Sequence, residues 1–427
     1  MKGASVAQAA KSRRRYSDLM PSLPSLPPPS PALRLAVIGA GPAGLTLALL
    51  AARLLPQAQI SLFDARPLAR DVGADPRTLA LALGSVQLLQ RLGAWNAASA
   101  QSILQVHVSQ APPTLQHPIF GTAGEPEVII SAAEQGVAQL GAVLSYGHLI
   151  APLQAAWEAA AAADPARLTS RFGTPVAGLK AVAGGVEVDA DIADTFDLAV
   201  VAEGGVFAYQ ARKSLTHDYQ QNAWVGRVDL APDSPAGHAY ERFTRNGPLA
   251  LLPLPPQAGQ RRAALVWCMP QAEDEIAALT DAQRLTVIQS LLPAGVGVLQ
   301  GISPLKCFAL GLNAERSLVD GRIIRIGNAA QTLHPVAGQG LNLGLRDAFA
   351  LVEALRKTPD IDAALRQVEW QRGSDRWTTI ATTDFLARTF AWRWPGLPLV
   401  RGLALGALQA LPGVKRAVAR AMMFGQR

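Results

Sequence analysis

Two glycine-dense turns hold the residues of this chain that are best suited to chemistry. The first is Gly39-Ala40-Gly41-Pro42-Ala43-Gly44; the second runs from Gly327 through Asn328, Gln331, His334, Gly338, Gly340, Leu341 and Asn342 to Asp347. Each follows a short apolar run and opens an apolar helical pattern. A helix start offers free backbone N–H groups and the positive end of the helix dipole, so each turn is a site for a phosphate or a developing negative charge.

The elements around the first turn give it a sharper meaning. An apolar run at 35–38 reads as a buried parallel strand, 45–55 as a helix, and 60–63 as a second strand ending at Asp64. Strand, glycine turn, helix, strand and acidic residue in that order form the dinucleotide fingerprint. Gly39 permits the tight turn, Gly41 lets the backbone approach a pyrophosphate, and Gly44 allows the helix to pack closely on the strand. Asp64 is placed to accept hydrogen bonds from a ribose, or simply to cap the next turn. The second turn lies between an apolar strand at 322–326 and the helical pattern Ala348, Leu351, Val352 and Leu355.

Composition narrows the function classes. A chain of 427 residues exceeds one average domain, and two intimately connected domains are expected. Hydrophobic residues make up 49% of it, yet no window of about 20 residues lacks charges or prolines, so no transmembrane helix is expected and the protein reads as soluble or peripheral. Cys268 and Cys307 have apolar neighbours and no metal-like spacing, and both read as buried thiols of a reducing compartment. The net charge is +7, but residues 1–32 hold +4 and the stretch after Asp384 holds +7, leaving −4 for 33–384. Basicity confined to the ends, with no basic run interleaved with aromatics in the body, argues against nucleic acid.

In its wording, Gly-Asn-Ala-Ala-Gln-Thr-Leu-His-Pro, the second turn resembles the second flavin-binding motif of the UbiH/UbiF/VisC-type aromatic-ring hydroxylases of ubiquinone biosynthesis, and within them the UbiH branch. Asn328 and Gln331 replace the aspartate and histidine of the usual form. The run Glu241-Arg242-Phe243-Thr244-Arg245-Asn246-Gly247-Pro248-Leu249-Ala250-Leu251-Leu252-Pro253-Leu254 resembles the same branch, and the likeness covers about 33–425. Asp75-Pro76-Arg77 is similar to the family's Asp-x-Arg segment, in which the arginine lies near the cofactor; a planar, permanently charged guanidinium suits a pyrophosphate, and a plain surface arginine is the alternative. Where relatives carry an arginine at the head of a helix, this chain has Tyr146 to His148. Where they have Asp-Gly after a buried strand, it has Glu203-Gly204.

The resemblance implies a mixed α/β fold: a Rossmann-like FAD/NAD(P)-binding domain with an inserted antiparallel β-sheet substrate domain and C-terminal helices, similar to p-hydroxybenzoate hydroxylase. It divides the chain into a basic, proline-rich leader over 1–32, a discontinuous FAD-binding domain over 33–105, 140–214 and 313–357, a substrate sheet over 106–139 and 215–312, and a helical region over 358–427. The leader reads as a transit peptide or an over-long start. Two distant helix-start loops imply one extended cofactor, FAD, with the pyrophosphate at Gly39, Gly41, Pro42, Ala43, Gly44, Asp64 and Arg77. The ribityl chain and ring would lie at Asn328, Gly338, Gly340, Leu341 and Asn342. Gln331 and His334 are candidates for shaping the oxygen side, and no residue is identifiable as a general base. NAD(P)H would visit transiently, since no second fingerprint exists for it.

The implied activity is hydroxylation of a polyprenyl phenol with NAD(P)H and O2, through a flavin hydroperoxide. A small-aromatic hydroxylase, a geranylgeranyl-reductase-like enzyme and a non-catalytic FAD-binding subunit of a ubiquinone-biosynthesis complex stay open. In the tail, Val414, Val418, Ala421 and Met422 form an apolar stripe opposite Lys415, Arg416 and Arg420. Such a helix lies on the inner face of the cytoplasmic membrane, or packs on the protein's own body with its basic face solvated.

Overall fold

The computed structural model describes residues 32–111, 126–203, 213–333, 338–391 and 397–425. Strands β1 (Arg34–Ile38) and β2 (Gln59–Asp64) flank helix α1 (Pro42–Leu54). Then come β3 (Thr78–Ala82), helix α2 (Leu83–Leu92), β4 (Gln101–Ile103), β5 (Gln105–Gln110) and β6 (Glu127–Ser131). β7 (Gly141–Ser145) leads into helix α3 (Tyr146–Ala163) and β8 (Leu168–Phe172). A ribbon of β9 (Gly178–Val182), β10 (Gly185–Ala190) and β11 (Ile192–Phe196) precedes β12 (Leu198–Val201). Long strands follow: β13 (Lys213–Leu230), β14 (His238–Thr244), β15 (Gly247–Gln257) and β16 (Gln260–Pro270). Helix α4 (Asp281–Leu291), β17 (Leu299–Ile302) and β18 (Lys306–Glu315) complete that region. The chain returns through β19 (Val319–Asp320), β20 (Ile323–Arg325) and β21 (Gln331–Thr332) to helices α5 (Gln339–Lys357), α6 (Ile361–Ala391), α7 (Leu397–Ala410) and α8 (Pro412–Phe424).

The first sheet runs β19-β20-β12-β1-β2-β8, parallel throughout except for the β19–β20 pair. Leu35, Ala36, Val37 and Ile38 are all buried, as expected of a central strand covered on both faces. Helix α1 is buried at every position from Pro42 to Ala51 because the sheet, α3 and α5 enclose it. Helix α5 presents the stripe Leu345, Ala348, Leu351, Val352 and Leu355 to the same core. Full burial of each such leucine or valine stabilises the fold by about 1.5–3 kcal/mol.

The second large sheet runs β21-β18-β13-β16-β15-β14-β5-β6, with β17 beside β13. Alternation along its strands gives it two faces. One carries Tyr240, Leu249, Leu251, Leu265 and Trp267, and packs on Ile288 of α4. The other carries Ala239, Val106, Val108 and Leu252, and packs on Leu83, Val143 and Met423. Ala80 of β3 also packs against this second cluster.

β7 pairs antiparallel with β3 and β4 in a sheet of three. Two expectations are corrected. Cys268 is buried, but Cys307, at the start of β18, is exposed. In α8 the buried residues are Lys415, Ala419 and Met423, while Val414 and Val418 face solvent. Lys415 donates to the Ile129 carbonyl at 3.1 Å and pairs with Glu134 at 3.0 Å, and it shares the docked face with Ala419 and Met423, which enter an apolar cluster. β18 also runs past residue 312 to Glu315, where β21 pairs with it and ties the second glycine segment to the large sheet. The leader over 1–31 and His334 lie outside the described residues.

Candidate functional site

The first turn is built by steric necessity. Gly39 has a φ of 102°, a conformation that L side chains rarely adopt, and its amide donates to the Phe63 carbonyl at 2.8 Å. A Cβ on Gly39 would lie 2.9 Å from the Glu203 backbone nitrogen, and one on Gly44 would lie 1.9 Å from the Gly39 carbonyl oxygen. Gly41 differs: among the described residues, the only atom within 4 Å of its Cβ would be the Tyr146 hydroxyl, at 3.8 Å. Helix α1 starts at Pro42 with no side-chain cap and no acid in its first turn. Open space above Gly41, lined by uncapped amides, fits a pyrophosphate.

Helix α5 starts the same way. Its N-cap, Gly338, is left-handed with φ 58°, no side chain caps it, and no acid occupies its first turn. A Cβ on Gly340 would meet no atom of the described residues within 4 Å, so among them this end also borders open space. Small residues set the two turns against each other: a Cβ on Gly327 would lie 3.4 Å from that of Ala43, and one on Gly344 would lie 2.8 Å from the Gly327 Cα. Ala43 therefore packs one motif on the other. Leu341 packs against the main core.

The candidate polar residues separate into free and engaged groups. Asn328 is exposed, with no side-chain hydrogen bond among the described residues. Asn342 is buried and fully engaged: its Oδ1 accepts from the Ala82 amide at 2.8 Å and the Ser85 hydroxyl at 2.7 Å, and its Nδ2 donates to the Ala80 and Gly338 carbonyls. It clamps β3 and α2 to the start of α5, and only its backbone remains for a ligand. Gln331 is also buried, accepting from Arg376 Nε at 2.7 Å and donating to Asp347 at 3.4 Å. Those bonds turn its side chain toward α5 and α6, away from any oxygen-side role.

Asp64 is already in use as well. It accepts from the Ala40 amide at 2.6 Å and the Arg66 amide at 2.7 Å, which braces the turn; a carboxylate keeps lone pairs for a ribose beyond these two bonds. Arg77 is largely exposed, paired with Asp75 at 2.8 Å and lying 4.3 Å over the Tyr146 ring. Arg77 holds the Asp75 carboxyl below its ordinary range, while burial raises the Tyr146 hydroxyl above its own. Glu203, half-buried behind Gly39, is pushed up by burial and by the like charge of Asp64. His148 is exposed at the head of α3, and its amide is capped by the Ser145 hydroxyl at 3.1 Å.

Tyr146 and Arg66 are the neighbours of the first turn that sequence reasoning did not single out. Arg66 reaches the Ala40 carbonyl and Gln154 from just beyond Asp64, and a cation directly after the acidic strand end was its only signal. A buried network was missed too: Arg372 bonds Asp347 at 2.7 Å and Asp375 at 2.6 Å, and Arg376 bonds the Glu315 and Ala330 carbonyls. Arg372 and Arg376 fall on the apolar stripe of Val368 and Ile380, a charged interruption legible as helical spacing. Arg376 thus grips the second glycine segment from behind.

This architecture has known counterparts. The FAD binding domain family matches residues 207–360. Ubiquinone hydroxylase UbiL of Rhodospirillum rubrum is 29% identical over 366 residues, 82% of this chain and 80% of that protein. The 3-demethoxyubiquinol 3-hydroxylase of Escherichia coli is 28% identical over 406 residues, 90% of this chain and 96% of that one. Among solved structures, Klebsiella pneumoniae HpxO complexed with FAD and uric acid superposes with a TM-score of 0.65 at 17% identity, covering 92% of this chain and 96% of that one. At that identity the likeness establishes the fold alone.

Proposed function

We propose that this chain, which resembles the UbiH/UbiF/VisC-type FAD-dependent hydroxylases of ubiquinone biosynthesis, inserts one oxygen atom of O2 into the ring of a polyprenyl phenol, consuming NAD(P)H. The observation that carries this reading is the pair of uncapped helix starts, at Gly41 and Gly338, held together through Ala43, Gly327 and Gly344. One extended ligand with an anionic middle and a ring at one end suits that pair.

When bound, FAD supplies the redox chemistry, accepting electrons from NAD(P)H and activating O2. The amides at the start of α1 hold the pyrophosphate, with Arg77 offering a second cation from the exposed side. Asn328 gives a ribityl hydroxyl an uncharged partner that both donates and accepts. The start of α5 stabilises negative charge at the ring end. The apolar face of the large sheet that meets Leu83 and Val143 walls the ring off from water and orients the phenol.

A membrane contact belongs to the same proposal. Leu403, Val414 and Val418 are exposed on α7 and α8, and Leu411 between them, in the stretch that also holds Arg401, Arg416 and Arg420. An apolar stripe flanked by cations suits the anionic inner face of a cytoplasmic membrane, where a prenylated substrate resides. No helix among the described residues is long and apolar enough to cross a membrane.

Gly41→Asp tests the reading, because the carboxylate would project into the space assigned to the pyrophosphate. The variant is expected to purify without FAD and to lose phenol-dependent NAD(P)H oxidation while its melting temperature matches that of the wild-type apoprotein. Retention of FAD would contradict the placement.

A further inference from the structure

One carboxyl group on the inner sheet face has no role in the fold. On β14, Tyr240 and Arg242 point to the outer face, where Tyr240 donates to the Gly295 carbonyl at 2.9 Å and Arg242 to the Leu291 carbonyl at 2.9 Å. Between them Glu241 points inward. Its lateral neighbours in register are Ala250 on β15 and Val108 on β5. The same face carries Cys268, Ala223 and Leu310. Ala80, packed against the apolar cluster of this face, lies 3.4 Å from where a Cβ of Gly338 would be. The face that holds Glu241 thus adjoins the start of α5.

Among the described residues Glu241 has no hydrogen-bond or ion-pair partner, although it is hemmed in by apolar side chains and retains a little solvent-accessible surface. Leaving a carboxyl unpaired in such a place costs stability, and nothing in the packing requires it there. Unpaired ionisable groups in apolar surroundings are a mark of ligand sites.

We propose that Glu241 is the substrate-contact residue that accepts a hydrogen bond from the phenolic hydroxyl and so fixes which part of the ring faces the start of α5. This rests on the phenol-hydroxylase reading above. Burial pushes the carboxyl up to about 7. Of the titratable groups around it, the Cys268 thiol is held protonated by burial and by Glu241 itself. On the helices that pack against the large sheet, Asp384 and Arg388 of α6 pair with each other, Asp384 also accepts from the Tyr219 hydroxyl, and Lys415 of α8 is held by Glu134. The ionised form, the better acceptor, therefore gains population as pH rises through neutrality.

The test uses FAD-loaded full-length protein and ortho-prenylphenol as probe, followed by the change in flavin absorbance. Wild-type affinity is expected to rise several-fold from pH 6 to pH 8. Glu241→Gln should bind with no such rise, and Glu241→Leu should bind at least about ten-fold more weakly at pH 8, the loss of roughly one buried hydrogen bond. Thermal melting of the apoproteins provides a readout independent of flavin. Because the fold holds a proton that the unfolded chain releases between about pH 4.5 and 7, this group makes stability fall as pH rises through that window. Both variants should therefore melt higher than wild type at pH 8 and nearly level with it at pH 5.

Variants that melt lower at both pH values would make Glu241 a structural residue and overturn the proposal. So would variants that bind the probe as wild type does, with the same pH profile. A wild-type protein indifferent to the phenol overturns the hydroxylase reading along with this one.

Discussion

At the scale of single residues, the glycines divide by what a side chain would strike. Gly44 has backbone in its way, so Gly44→Ala is expected to destabilise the protein by about 3 kcal/mol or more in chemical denaturation, since the oxygen 1.9 Å away belongs to the turn itself. A loss below roughly 0.5 kcal/mol would contradict the close helix-to-strand packing. Arg77 makes the opposite case. Its pair with Asp75 is exposed and worth little to stability, so Arg77→Ala should leave the melting temperature unchanged while weakening FAD binding about ten-fold in a fluorescence titration. The roles of the first-turn glycines were legible in the sequence because φ and close approach admit few residues. The engagement of Asn342 and Gln331 was not, because both are polar residues in a glycine-rich motif, and only the folded chain decides whether such a side chain faces the ligand or the core.

At the scale of elements, the second glycine segment depends on α6. Arg376 bonds backbone on both β18 and the residue before β21, and Arg372 neutralises Asp347 on α5. Asp347→Ala leaves Arg372 with a buried, half-compensated charge, and is expected to cost about 3–5 kcal/mol and to release FAD. Full stability and full flavin content in that variant would show that the network is incidental. The strands and helices around the parallel sheet could be read from apolar runs and glycine turns, because burial on both faces leaves a plain pattern. The docking face of α8 could not: Val414 and Val418 face solvent, while Ala419 and Met423 enter an apolar cluster and Lys415 beside them reaches Glu134. Hydrophobic periodicity locates a helix more reliably than it orients one with apolar residues on two faces.

At the scale of the whole molecule, helices α7 and α8 pack on the inner face of the large sheet together with Leu83 of α2 and Val143 of β7. The exposed apolar residues of these two helices lie outside that packing. Replacing Val414 and Val418 together by glutamate should therefore preserve melting temperature while reducing sedimentation with vesicles rich in phosphatidylglycerol; undiminished sedimentation would retire the membrane contact. The central claim is that this architecture oxygenates a prenylated phenol. Its most direct test is mass spectrometry of the product formed from ortho-prenylphenol, FAD, NAD(P)H and isotopically labelled O2. Incorporation of one labelled oxygen atom into the ring is the predicted result. A product bearing added hydrogen and no label, or NAD(P)H consumption that is indifferent to the phenol, would contradict it.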